Sequence, residues 1–566
     1  MGLETSNRGE ELAPGSERDI QDEPQRLTRV HGKTFLVVFA ICLIYFAQLF
    51  SLVGAGAQGQ IIAAHFGETR NAIWLTAPLA MMPVVLGPII SQAADYWGRK
   101  WFLVVMTSFS VIGAIIFSRA DSMNMAIAGS TVIGICFATQ PLLHTVTSEI
   151  LPRQWRAYGQ AAIFTSNSLG SICGLLVGGA LNRTGSPASE GFRTYYYIAM
   201  AISVVATTLI FVVYDPPALK KQRQLTTRQK LQKLDWTGYF FLAAGLTLFM
   251  VGLSWFDNPF EFSDPHVAAT FAVGLALAAA LIIYETFLKK DGMFHHALFK
   301  RNRNFSVTLF CVFVEGVAFF AANTYFAFEV SELYETDAIL VGARYCIMWI
   351  VVVIAAFING WFCSKYKRTR SITFSAFLIF VAFFACMAET TPSTNNEVWG
   401  YAVLLGTGLG MTLTTLVTVA QLSTPPELIA IASGLLLSVR SLGGTVGLAI
   451  YNALFNAALD QLEANVAQAV VSAGLPSENA PGFITALTSK NETALLSVPN
   501  VTSDIIQAGT NASLSTYSGA FRHVWIAAAC FVALAALASL LLIDQPKEFN
   551  MHIDAPVEEK EDTGSI

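Results

Sequence analysis

The chain has 566 residues, of which 54% are hydrophobic and only 13% charged, with a formal net charge of −5; a soluble globular protein carries about 25% charged residues. That balance excludes a soluble enzyme and points to an all-α polytopic membrane protein, with no nucleic-acid partner expected. The size of the net charge says little, because the location of the cations is what orients such a chain.

Residues 1–33 are rich in Pro, Glu and Arg without periodicity, and are expected to be a disordered cytoplasmic tail. They do not resemble a cleaved signal peptide, so the first apolar run is expected to act as the insertion signal. Apolar runs follow at approximately 35–56, 73–93, 101–118, 124–147, 158–181, 195–213, 236–256, 267–288, 305–328, 338–362, 371–388, 398–421, 428–458 and 523–543. About fourteen membrane-spanning helices are predicted, since roughly 20 apolar residues cross a bilayer and helices satisfy their own backbone groups in lipid. Only the 428–458 run is over-long. Cys42, Cys136, Cys173, Cys311, Cys346, Cys363, Cys386 and Cys530 lie in or beside these runs without C-x-x-C spacing, so no disulfide or metal site is expected. No phosphate-binding G-x-x-x-x-G-K-S/T, hydrolase or dinucleotide-binding constellation occurs, and neither a cofactor nor an enzymatic reaction is expected.

Between the second and third runs stands QAADYWGRK, Gln92 to Lys100. A carboxylate, a glycine and two cations at this hinge suit a short turn at a membrane face: Gly98 tightens it, Arg99 and Lys100 stay among the headgroups, and Asp95 reaches a helix end or a cation. With a cytoplasmic N-terminus, Arg99/Lys100, Arg153/Arg156, the Lys220–Lys233 cluster, Lys289–Arg303 and Lys365–Arg370 all fall inside. The positive-inside rule selects that orientation and puts both termini in the cytoplasm. The polar stretch 459–521 then lies outside, with N-x-S/T triplets at Asn491, Asn500 and Asn511, and Asn182-Arg-Thr is outside too; these four asparagines are glycosylation candidates.

NSLGSICG, Asn167 to Gly174, and RSLGGTVG, Arg440 to Gly447, share S-L-G-x-x-x-G, and GWFCSKYKR from Gly360 echoes the first loop with Ser364 where Asp95 stands. Two duplicated halves are implied. The expected division is an N-terminal six-helix half at 34–214, a basic cytoplasmic loop at 215–235, an inserted helix pair at 236–288, a C-terminal six-helix half at 289–543 including the extracellular loop 459–521, and a cytoplasmic tail at 544–566. Gly170, Gly174, Gly178 and Gly179, like Gly443 and Gly447, have the spacing that lets helix backbones approach closely.

The hinge string resembles the loop signature of the major facilitator superfamily, G-x-x-x-D-x-x-G-R-R/K, with Ser91 for the first glycine and Tyr96 for the arginine after the acid. The fifth-span glycines resemble its antiporter signature, with Leu175 in place of the proline, and Ser130 stands where proton-coupled members have a fourth-span arginine. GICFATQ (Gly134 to Gln140), Glu149 with Pro152 and Arg156, YDPP (Tyr214 to Pro217) and LDWTGYFFLAAGLTLFMVGLSW (Leu234 to Trp255) are similar to fungal trichothecene efflux pumps, a fourteen-span branch allied to drug:proton antiporters. The resemblance implies a major-facilitator fold and proton-driven export of a small hydrophobic compound across the plasma membrane; a monomer is expected.

Ionisable groups deep in a span cost about 2.5–3.5 kcal/mol on insertion scales, so those retained face the interior and pair or act. Glu315, in the middle of LFCVFVEGVAFF, is the deepest carboxylate, and Arg440 is its candidate partner. His144 and Glu149, near the inner end of the fourth span, complete the proton-coupling candidates. The intramembrane amides Gln140, Asn167, Asn323 and Asn359 are candidates to line a central cavity or to join helices. Arg344 lies nearer an outer end and is expected to snorkel. Two other readings stay open: a proton-coupled importer of a siderophore or nutrient with the same fold, and a non-transporting membrane sensor, for which the tails are short.

Overall fold

The computed structural model describes residues 32–555 apart from 69–71, 73, 182–189, 218–225, 256–263, 290–291, 293–294, 301–302, 336–337 and 489–491. Among the described residues, fourteen helices are long and apolar enough to cross a membrane and no strand occurs. They are α1 Gly32–His65, α2 Ala77–Trp97, α3 Arg99–Ser118, α4 Met123–Phe137 continued after a break at 138–139 by Gln140–Ile150, α5 Arg156–Leu181, α6 Gly191–Val213 and α7 Trp236–Trp255. There follow α8 Pro265–Ile283, α9 Asn304–Leu333, α10 Ala338–Tyr366, α11 Thr369–Ala388, α12 Asn395–Leu422, α13 Ile429–Leu459 and α14 Ser503–Ser539.

The helices gather into two groups of six with α7 and α8 beside them. Buried side chains of α1 to α6 form two clusters, and a larger cluster collects α9 to α14. The inserted pair packs on α2 through Tyr239, Leu242, Leu246 and Met250, and Leu442 of α13 touches the same patch. Tyr239 donates its hydroxyl to Gln92, which fastens α7 to α2. The two groups meet where α5 packs on α10 and α2 packs on α13.

Small residues set the closest approaches, as expected where lipid supplies no hydrophobic drive between helices. A side chain at Gly170 or Gly174 would strike the Phe46 or Phe50 carbonyl of α1. Gly178 faces Gln58, whereas Gly179 has nothing within 4 Å and packs against no helix, contrary to the sequence reading. In the second group Gly443 and Gly447 lie on Phe313 and Val317 of α9, and Gly316 lies on the Arg440 carbonyl.

The segment after α13 departs from the expected loop at 459–521. Helices Leu462–Ser472, Ala480–Thr488 and Glu492–Leu496 enclose a small core around Val466, Val470 and Phe483. Residues 503–522 are already helix, capped by Thr502 accepting from the Ile505 amide at 3.4 Å, so α14 projects beyond the bilayer. Asn511 is exposed on that helix and Asn500 is exposed with φ 62°; Asn182 and Asn491 lie outside the described residues.

Candidate functional site

Three sets of polar residues occupy the inside of the bundle, stacked from one face to the middle. The first is the turn between α2 and α3. Gly98 has φ 95° and ψ 150°, a region open essentially to glycine alone, and this turn brings Arg99 back beneath α2. Arg99 pairs with Asp95 at 3.1 Å and also with Glu149 at the end of α4; all three are at least nine-tenths buried. Lys100 reaches Asp215 at 3.1 Å on a largely exposed carboxylate, a contact of small energetic weight. Tyr214 is buried beside the cluster; burial pushes its phenol up to about 12, with Arg99 pulling in the opposite direction.

The echoing turn between α10 and α11 keeps a positive φ and changes the chemistry. Lys367, the counterpart of Gly98, also has positive φ, at 56°. Ser364, the counterpart of Asp95, donates to the Gln154 carbonyl across the groups at 2.8 Å.

The second set joins the two groups. Ser148 donates to the Gln421 side-chain oxygen at 2.5 Å, Gln160 donates to Ser148 at 2.8 Å, and Gln421 donates to Ser433 at 3.1 Å and to the His144 carbonyl at 3.3 Å. Arg156 donates to the Ser148 carbonyl at 3.0 Å and to the Gln421 carbonyl at 3.3 Å. Higher up, Ser438 donates to the Val84 carbonyl at 3.0 Å. These bonds cluster toward the face that carries the basic turns, and they seal the seam there.

The third set lies at mid-depth. Glu315 has no exposed surface and takes two hydrogen bonds from Arg440, at 2.5 Å from Nε and 3.0 Å from Nη2. The guanidinium also stacks over Phe319 at 4.7 Å from the ring centroid. Gly316 makes this possible, because any side chain there would push α13 away. Arg440 stands on α13, which packs on α2 and on the second part of α4. The pair therefore borders the first group.

The structure thus joins Glu315 to Arg440 and separates His144 from Glu149. His144 Nδ1 pairs with Gln160 Oε1 at 2.5 Å, its ring sits between Tyr45 and Phe164, and its Nε2 has no hydrogen-bond partner. Glu149 belongs to the Arg99 cluster instead; residues five apart on a helix point about 140° apart. Asn359 is not a cavity residue: it is 2% exposed and bonds the Met411 carbonyl at 3.1 Å and Thr415 at 2.9 Å, joining α10 to α12. Asn323 is exposed and accepts from the Tyr345 hydroxyl, Asn167 is half-buried with its oxygen unbonded, and Gln140 is half-buried where α4 resumes. Arg344 does not snorkel. It is 1% exposed, bonded to Asn395 at 2.5 Å and stacked over Trp399 at 4.6 Å.

Sequence reasoning missed Gln421, Ser148 and Gln160. Their only signal was an amide and hydroxyls in runs otherwise rich in Val, Leu and Ala. It also missed Glu329, which is fully buried near the far end of α9 and accepts from Thr390 and Trp525, each at 2.5 Å.

This arrangement defines a class: a polytopic helical membrane protein in which two packed six-helix groups, with an inserted pair, enclose a buried mid-membrane ion pair and a polar seam. Over residues 35–448 the chain matches the model of the Major Facilitator Superfamily, and it belongs to that family. It is similar to the MFS-type efflux transporter pyiT of Pyricularia grisea, 25% identical over 70% of this chain and 64% of that one, so the match spans just under two thirds of that relative. It is also similar to the trichothecene efflux pump of Trichoderma arundinaceum, 21% identical over 91% of this chain and 87% of the pump. Among solved structures it shares its fold with the proton:xylose symporter XylE, at TM-score 0.55 and 12% identity over 90% of this chain and 95% of that one.

Proposed function

We propose that this protein is a secondary exporter that moves a small hydrophobic metabolite, toxin or drug out of the cytoplasm in exchange for protons, working as a monomer in the plasma membrane with both termini cytoplasmic. The observation that carries the reading is Glu315: a carboxylate with no exposed surface, held two-pronged by Arg440 where α9 and α13 meet, at mid-membrane and beside the first group. A fixed structural charge gains nothing from such a place, whereas a carboxylate that alternates between Arg440 and a proton changes how α9 holds α13. When Glu315 takes a proton, Arg440 is released toward the pathway; when the proton leaves, the pair re-forms.

The basic face then corresponds to the cytoplasm, and the structure is the state closed on that side. The Asp95–Arg99–Glu149 cluster and the Gln421 network must open for cargo to enter. Aromatic residues near the pair, including Phe319, Phe320 and Trp349, give an apolar cargo a wall to adapt to. One proton crossing about 100 mV supplies about 2.3 kcal/mol, enough for roughly a fifty-fold gradient of a neutral solute. The efflux names of the fungal relatives support this direction over import, and nothing in the geometry favours a sensor. Asn500 and Asn511 then face outside, where glycosylation occurs.

Glu315→Gln separates coupling from movement. In everted plasma-membrane vesicles given a labelled trichothecene outside, the variant should lose gradient-driven accumulation yet keep exchange of labelled for unlabelled compound. Unchanged accumulation would make Glu315 a packing residue and remove the scheme.

A further inference from the structure

The chain beyond α14 is placed by as many specific contacts as any part of the seam, and no role described above uses it. Asn304 holds Ile543 with two hydrogen bonds, each 2.8 Å. Asp544 accepts from the backbone amides of Thr369 and Arg370 at 2.7 and 2.9 Å, capping α11 where the helix dipole favours an acid. Phe549 is 2% exposed and its carbonyl takes Lys367 Nζ at 2.9 Å. Up to this point the segment is held by the second group, apart from Glu548, which reaches Arg153 of the first.

One residue later it belongs to the first. The Asn550 carbonyl accepts from the Gln154 amide at 2.8 Å, the His552 carbonyl from the Arg153 amide at 3.0 Å, and the Ala555 amide donates to the Glu149 carbonyl at 3.0 Å. Arg153 clamps Glu548 and Asp554, each at 2.7 Å, and Arg156 pairs with Asp554 as well.

We infer that Asp544–Ala555 is a fastener across the cytoplasmic seam, with Asp554 its positioning residue, and that its release from the α4–α5 turn is a step of every transport cycle. Adjacent Cα atoms are about 3.8 Å apart, so Phe549, tied to one group, and Asn550, tied to the other, leave no slack. Separating the groups on this face must break one set of bonds. Asp554 also balances Arg156, which is 1% exposed and bonds the carbonyls of Ser148 in one group and Gln421 in the other. Without Asp554 that cation stays inside the closed seam with less compensation, which favours the open face where water reaches it.

The inference rests on the alternating movement proposed above, not on protons. It is tested with Ala430→Cys, an α13 position buried in the first group's core, in a chain whose eight native cysteines are replaced, using a membrane-impermeant maleimide supplied to everted vesicles. Asp554→Asn should speed labelling at least tenfold, and Asp554→Glu should stay near the parent rate. A chain ending after Ile543 should match Asp554→Asn, and one ending after Ala555 should match the parent. A control cysteine at Ala114, inside the first group, should remain slow throughout. Parent-rate labelling of Asp554→Asn, or equal acceleration at Ala114, would overturn the inference. Because labelling reads the seam itself, a failure of proton coupling would leave this result standing.

Discussion

Arg440→Gln removes both hydrogen bonds to Glu315 and the guanidinium over Phe319, and leaves a carboxylate with no exposed surface and no cation beside it. Breaking a buried pair from one side costs about 3–5 kcal/mol, because the orphaned charge cannot regain water. Replacing both partners removes the orphan, and comparable double replacements are near neutral. The second substitution, Glu315→Gln added to Arg440→Gln, should therefore recover about 3 kcal/mol, or about two orders of magnitude in the unfolding equilibrium. The assay is denaturant unfolding of purified protein in mixed micelles for the parent, both single variants and the double variant. A coupling energy within about 0.5 kcal/mol of zero, the level expected of independent sites, would refute the claim that the pair acts as one unit.

Gly98→Ala should cost about 1–3 kcal/mol, since its φ of 95° lies where a Cβ is strained, and melting temperature should fall accordingly. Gln421→Leu removes three hydrogen bonds across the seam. At about 1 kcal/mol each the closed cytoplasmic face should lose roughly two orders of magnitude in population, read as faster thiol labelling at Ala430→Cys. Asn359→Leu should lower stability by about 1–3 kcal/mol by leaving Thr415 without its donor, with KM for transported compounds unchanged, because the residue joins α10 to α12 and lines no pathway.

What could be read from the chain depended on range. Spans were legible because lipid tolerates little but apolar helix, and Glu315 and Arg440 stood out as rare charges within them. Their contact was not legible, since it depends on the register of α9 against α13, set by Gly316, Gly443 and Gly447. The parting of His144 and Glu149 was not legible either, because five residues along α4 turn them about 140° apart. The start of α14 was missed because Ser, Thr, Asn and Gly at 503–522 look like loop by lipid standards, while the helix there leaves the bilayer and folds against the 462–496 helices. Asp554 carried no local signal at all: its partners lie about four hundred residues earlier.

The proposed function has a proton gradient drive cargo out through this bundle. Purified protein in liposomes, oriented with its basic face outward, would be given an acid interior and an external labelled trichothecene. Label should accumulate inside, collapse on adding a protonophore and fail to accumulate with Glu315→Gln. Accumulation that survives the protonophore would contradict the proposed function.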